Sequence, residues 1–142
     1  MLVRDILNKK GNKVFTSSPD TLIGEIANTL VKENIGAIVI IEKDLVVGIL
    51  SERDIVRGYT EKKSVRSTKA KELMTKNVIT CNTKNTTEEL LELMVKKHFR
   101  HIPVVENNKL IGIISTGDLV KDRTKRLKKE IDQLKSYVTK SY

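Results

Sequence analysis

The sequence predicts an α/β fold, α+β in the grouping of its hairpins and helices. It is built from two pseudo-twofold-related copies of a strand–helix–hairpin–helix unit, with a helical extension at the C-terminus. Three observations predict this. The chain repeats itself 64 positions on, without a gap: Val14-Phe15-Thr16 returns as Val78-Ile79-Thr80, and Gly48-Ile49-Leu50-Ser51-Glu52-Arg53-Asp54-Ile55-Val56 returns as Gly112-Ile113-Ile114-Ser115-Thr116-Gly117-Asp118-Leu119-Val120. Self-similarity at a fixed period sets the architecture before local detail does. Within each copy a stripe of apolar residues at helical spacing precedes two Ile/Val-rich runs, the marks of one helix and one hairpin. Finally, each copy has only about 55 residues, marginal for standing alone, so the two must bury surface against each other.

The elements follow in order. Arg4 to Lys9 and Ala70 to Thr75 read as short lead-in helices, with Asp5-Ile6-Leu7 matching Glu72-Leu73-Met74. A short strand ends near Thr16, and Ser18 with Pro19 has the character of an N-cap and first helical residue. Leu22, Ile23, Ile26, Ala27, Leu30 and Val31 then form one stripe. In the second copy Asn82 takes the cap position, and Leu90, Leu91, Met94 and Val95 continue the stripe, with Glu88 and Glu89 near the positive end of the helix dipole. Gly36 to Glu42 and Leu45 to Ser51 are strands broken at Lys43-Asp44; His101 to Glu106 and Lys109 to Ser115 are broken at Asn107-Asn108. Two-residue breaks of this type are hairpin turns, and near-continuous apolar strands imply sheets covered on both faces. The units are therefore residues 1–58, a polar linker 59–69, residues 70–121, and a basic helix 122–142. In that helix Leu127, Ile131, Leu134 and Val138 fall at 4-3-4 spacing. This narrow seam suits docking on the body or pairing with another chain.

Composition bounds the function. The longest apolar stretch, Ala37 to Ile41, is too short to span a bilayer, and the first residues lack the pattern of a signal peptide. A single cysteine, Cys81, excludes an internal disulfide, and no Cys/His cluster suggests a metal. A soluble cytoplasmic protein is expected. The net charge is +9, and the segment from Lys121 to Tyr142, with eight Lys/Arg against three Asp/Glu, supplies more than half of it. Such a helix could attract nucleic acid or another polyanion, which is the alternative function. No aromatic platform interleaves with its cations, however. There is no phosphate-loop glycine sequence and no nucleophile–base pair, so catalytic residues are none and an enzyme is not expected.

The sharpest chemical element is Ser-x-x-Asp at a strand-to-helix turn, Ser51/Asp54 and Ser115/Asp118. An Asp carboxylate can accept hydrogen bonds from both hydroxyls of a ribose. A Ser hydroxyl one turn earlier, with free amides at a helix N-terminus, can meet a phosphate. The same spacing is also a capping box, and spacing alone does not separate the two. The third box position favours Glu or Gln for reach, and Asp stands there both times. Arg53 and Arg57 flank Asp54, and Arg100-His101 opens the strand before Ile102-Pro103. Two cations at a strand entry face a cleft or solvent.

The doubled order of elements, with Gly-Ile-Leu-Ser-Glu-Arg-Asp-Ile-Val and Arg-His-Ile-Pro-Val-Val, resembles a tandem cystathionine-β-synthase (CBS) domain pair, or Bateman module, over residues 1 to about 121. The resemblance implies two clefts, each mixing elements of both copies, that bind adenosine-type small molecules: AMP, ADP, ATP or S-adenosylmethionine as regulatory ligand, with no cofactor required. It would place ribose on Asp54 and Asp118, and ribose or phosphate near Ser51, Ser115, Thr116, Arg53, Arg57, Arg100 and His101. The loops Thr16–Ser18 and Thr80–Asn82 would lie beside base or sugar, and strand residues Ile38, Ile102 and Pro103 would flank the base. It implies a homodimer that signals to an unidentified regulated protein. Gly36-Ala37 stands where the second copy has Arg100-His101, so the two clefts are not expected to be equivalent.

Overall fold

The computed structural model describes residues 1–140, and side chains to Thr139. Its elements are α1 (Val3–Lys10), β1 (Thr16–Ser17), α2 (Ile23–Glu33), β2 (Ala37–Glu42), β3 (Leu45–Ser51), α3 (Glu52–Glu61), α4 (Ala70–Leu73), α5 (Thr87–Lys97), β4 (His101–Glu106), β5 (Lys109–Ser115) and α6 (Thr116–Lys140). The two hairpins are superposable in register. Ala37 pairs with Ser51 as His101 pairs with Ser115, and both carry an irregularity in the same place, Ile40/Ile41 and Val104/Val105. All four turn residues, Lys43, Asp44, Asn107 and Asn108, take positive φ, as a two-residue hairpin of this hand requires.

The lead-in helices are exchanged between the copies. Val3, Ile6 and Leu7 of α1 pack in the core of the second copy with Leu90, Met94, Ile102, Val104 and Ile114. Ala70 and Leu73 of α4 pack in the core of the first copy with Ile23, Ile26, Ile38, Ile40 and Leu50. Each lead-in helix crosses its host strand at a glycine, since a Cβ on Gly48 would strike Met74 and one on Gly112 would strike Leu7. The sequence suggested helices leading into their own copies; the apolar faces instead find the partner copy's hairpin.

Both proposed caps move. α2 starts at Ile23, and its first amides donate to the linker, Ile23 N to Thr68 O at 2.8 Å and Gly24 N to Arg66 O at 3.0 Å. With backbone carbonyls satisfying these donors, Ser18 is freed to close a turn, its amide donating to Thr21 Oγ1 at 3.2 Å. In the second copy Thr86 caps α5, accepting from Glu89 N at 3.2 Å, while Asn82 Oδ1 accepts from Lys84 N at 2.8 Å. The stripe is also narrower than its spacing suggested. Ile23, Ile26, Leu30, Leu90 and Met94 are buried, but Val31 and Val95 are 83% and 69% exposed. α3 runs to Glu61, three residues into the segment read as linker. α6 is continuous across residues 121 and 122, and Asp122 is buried, with Arg126 Nε donating to it at 3.0 Å. No strand forms at Thr80; only Cys81 bridges Val104.

Candidate functional site

Both Ser-x-x-Asp turns form the capping box. Asp54 Oδ2 accepts from Ser51 N at 2.8 Å and Ser51 Oγ at 3.1 Å, and Ser51 Oγ is placed 3.4 Å from Asp54 N. Ser115 N donates to Asp118 Oδ2 at 2.8 Å, and Asp118 N donates to Ser115 Oγ at 3.1 Å. Both carboxylates are thus turned towards their own helix starts. The two environments then part. Asp54 is 5% exposed, and its second oxygen pairs with Arg57 Nη1 at 3.0 Å and accepts from Thr75 Oγ1 at 3.3 Å. Asp118 receives Lys10 Nζ at 2.5 Å, and the same ammonium donates to Ile113 O at 2.7 Å. In the first copy the corresponding carbonyl, Ile49 O, accepts instead from Thr75 N at 2.8 Å.

A cleft of about 710 Å³ opens beside Asp54, well within the range of small-molecule sites. Its floor comes from the first copy, Ile49, Ser51 and the start of α3. Its far wall comes from the second copy, the segment Asn77-Val78-Ile79 after α4 and the run His98-Phe99-Arg100-His101 before β4. The exchanged lead-in helix is what delivers Thr75 and Asn77 to the first copy's Asp. Ile49, Val56, Val78, Ile79 and Phe99 give apolar walls, and Arg53, Arg57, Lys97 and Arg100 give cations. Arg53 Nη1 reaches across to His98 O at 3.4 Å. Arg57 Nη2 donates to Leu73 O at 3.0 Å, so this guanidinium is held between a carbonyl and the Asp54 carboxylate.

His101 stands where the two halves meet. It lines the cleft, and a Cβ on Gly36 would lie 3.4 Å from its Cε1. Burial first, then the nearby Lys10 and Arg100 charges, pull its pKa below the ordinary histidine value against the opposing pull of Asp118 and Glu52. For Asp118, burial alone would raise the carboxyl. The Lys10 ammonium and the Ser115 amide outweigh it and hold the group below the ordinary aspartate value.

Of the residues singled out in the sequence, the cleft gathers Ser51, Arg53, Asp54, Arg57, Arg100 and His101. Ser115 and Asp118 lie at the equivalent turn. Thr116 is engaged there, its Oγ1 donating to Met94 Sδ at 3.1 Å and to Arg100 O at 3.4 Å. Thr80 and Asn82 line a separate polar recess with Glu106 and Asn108. Thr16 pairs with Val39 at the sheet edge, and Ser18 is exposed in its turn. Ile38, Ile102 and Pro103, expected to flank a base, are fully buried in the strand interiors, which need them as core. Sequence reasoning did not include Thr75, Asn77, Val78, Ile79 or Phe99. The recurrence of Val14-Phe15 as Val78-Ile79 was the available signal, read only as a strand. Among the described residues no group of His, Cys, Asp and Glu could hold a metal ion, and no helix is long and apolar enough to cross a membrane.

Comparison with known proteins gives a consistent picture. The family model described as CBS domain matches twice, at residues 3–61 and 70–124. The CBS domain-containing protein YhcV of Bacillus subtilis is 33% identical over 107 residues, covering 75% of this chain and 76% of the relative. A crystal structure of a CBS-domain containing protein from Agrobacterium tumefaciens matches with a TM-score of 0.83 at 43% identity, covering 87% of this chain and 99% of that one. The CBS domain pair of protein MJ0100, solved in complex with 5′-methylthioadenosine and S-adenosyl-L-methionine, matches with a TM-score of 0.79 at 26% identity, covering 89% and 98%.

Proposed function

The chain belongs to the CBS domain family, and from that premise we propose that it is a non-enzymatic sensor that binds an adenosine-type ligand in the cleft beside Asp54 and signals to a separate regulated protein. The observation that carries this reading is the pairing, in one cleft, of an apolar wall with a cationic rim. Adenine has a flat apolar face, and Val78, Ile79, Phe99 and Ile49 offer a matching slot. Phosphates then fall to Arg53, Arg100 and His101. Because cations outnumber acids around the rim, AMP, ADP and ATP are favoured over S-adenosylmethionine, whose sulfonium adds positive charge. The MJ0100 pair, with its two adenosine-type ligands, supports the class of ligand.

Asp54 is already served by four donors, so ribose binding requires an exchange. The weakest contact, Thr75 Oγ1 at 3.3 Å, is the one a ribose hydroxyl would replace. The cap to Ser51 and the Arg57 pair can stay in place. Ligand binding can shift the shape of the module only by its differential affinity for two arrangements. Here the two walls come from different copies, so a ligand touching both biases their spacing. A homodimer fits the same reading, since Val31 and Val95, and likewise Val56 and Val120, are apolar and exposed at equivalent places in the two copies.

Calorimetry of the purified chain against AMP, ADP, ATP and S-adenosylmethionine tests the proposal. One nucleotide per chain is expected, with affinity lowered roughly ten- to a hundredfold by Arg100→Ala, the range for losing a charge-assisted contact. No heat from any of the four ligands would sink it.

A further inference from the structure

Beyond its contact with the body, α6 carries a face that the ligand reading does not use. Two ion pairs tie the helix down, Lys9 Nζ to Asp122 at 3.4 Å and Arg126 to Glu88 Oε1 at 3.8 Å. Every described side chain from Leu127 to Thr139 is exposed. An isolated helical segment of that length is marginal in water, so it calls for a partner along its apolar seam. Leu127, Ile131, Leu134 and Val138 are 50–65% exposed, and Val120, 54% exposed, stands one heptad before Leu127 on the same stripe.

We propose that α6 pairs in parallel and in register with α6 of a second copy of this chain. Two features of the pattern select this occupant. Spacing sets Leu127 and Leu134 at d and the β-branched Ile131 and Val138 at a, the combination that favours parallel two-stranded packing. Glu130 then falls at g and Lys135 at the following e. In a parallel pair Glu130 meets the partner's Lys135 twice over by symmetry. In an antiparallel pair the e positions face each other, setting Lys128 and Lys135 of one copy against the lysines of the other. Charge therefore decides the orientation as well as the partner.

The test uses the full chain with Leu134→Cys, a d position, and separately Ser136→Cys, an f position on the far side of the helix. Native Cys81 is buried and does not compete. Under mild oxidation Leu134→Cys should give interchain disulfide at least tenfold faster than Ser136→Cys. Adding Glu130→Lys should slow that cross-link, and adding Lys135→Glu on top should restore it. Equal cross-linking at the two positions, no cross-link at Leu134→Cys, or a charge swap that fails to restore the rate would each overturn the proposal. None of these readings depends on nucleotide, so failure of the ligand proposal and failure of this one are separable.

Discussion

Asp54 and Asp118 sit at the same step of the same repeated turn, each after a strand of identical register and each closing the same capping box. Around Asp54 the neighbouring positions are filled by Thr75 and Arg57, and a cleft remains between the copies. Around Asp118 the long side chain of Lys10 arrives instead, bonding both the carboxylate and the Ile113 carbonyl. The difference originates in the lead-in helices. α4 ends at Leu73, so its chain pairs as backbone with Ile49. α1 continues to Lys10, so an ammonium takes over that role. One extra turn of helix thus makes two equivalent carboxylates chemically unlike, Asp54 lining a cleft with Arg57 from its own helix beside it and Asp118 covered by a lysine from the lead-in helix. A repeat fixes where a group stands; its neighbours decide what it can do.

That contrast can be broken most forcefully at the carboxylates themselves. Asp54→Ala should destabilise the fold by about 2–3 kcal/mol, because it removes a cap worth about 1 kcal/mol and a buried acceptor that also serves Thr75 and Arg57. Asp118→Ala should cost about 1 kcal/mol, since its site is half-open and Lys10 can turn to water. Urea denaturation midpoints would measure both, and equal losses would show the environments to be alike. Next in size, Lys10→Met should free Asp118 and allow a second ligand to bind. Calorimetric stoichiometry would then rise from one nucleotide per chain towards two, with the first site unchanged. An unaltered stoichiometry would mean that Lys10 is not what separates the two sites.

A smaller effect is expected from His101, which faces Glu52 and Gly36 on one side and Lys10, Asp118 and Arg100 on the other. Its pKa is depressed in the folded chain. The unfolded chain therefore binds the proton first as pH falls, and stability declines below the ordinary value of about 6.5. A phosphate beside the ring favours the charged form. AMP affinity should therefore rise between pH 7.5 and about 6.5, above the phosphate's own titration near about 6, while adenosine affinity stays flat; parallel titrations of the two ligands decide it. The least effect of all should come from thiol reagents. Burial pushes the Cys81 thiol up to about 12, so native protein should remain unlabelled at pH 8 over the minutes in which urea-unfolded protein reacts fully.

Much of the fold was legible because its signals are local and doubled. The strands Leu45 to Ser51 and Lys109 to Ser115 were bounded to the residue, their turn chemistry marking where each begins, and the family resemblance agreed. What failed was whatever depended on another part of the chain. Ser18 and Asn82 looked like caps, but linker carbonyls from Arg66 and Thr68 take the first amides of α2, and Thr86 caps α5. Ile38 and Ile102 looked like cleft residues by analogy, yet both side chains are fully buried in the cores of their own hairpins. Ser51, Arg53, Asp54, Arg57, Arg100 and His101 were legible as a group because charge in an apolar context stands out. Thr75, Asn77 and Phe99 carry no such mark, and their place depends on a crossing between copies that no local pattern reports.

That crossing has a consequence for how the molecule comes apart. With Val3, Ile6 and Leu7 clasped by the later hairpin, and Ala70 and Leu73 by the earlier one, neither half owns all of its interior. A fragment stopping near Lys62 would carry an orphaned apolar helix and a hairpin missing its cover, and should be insoluble by itself. Mixed from denaturant, the two fragments should find each other and rebuild the whole. The chain is doubled in sequence but indivisible as a folding unit.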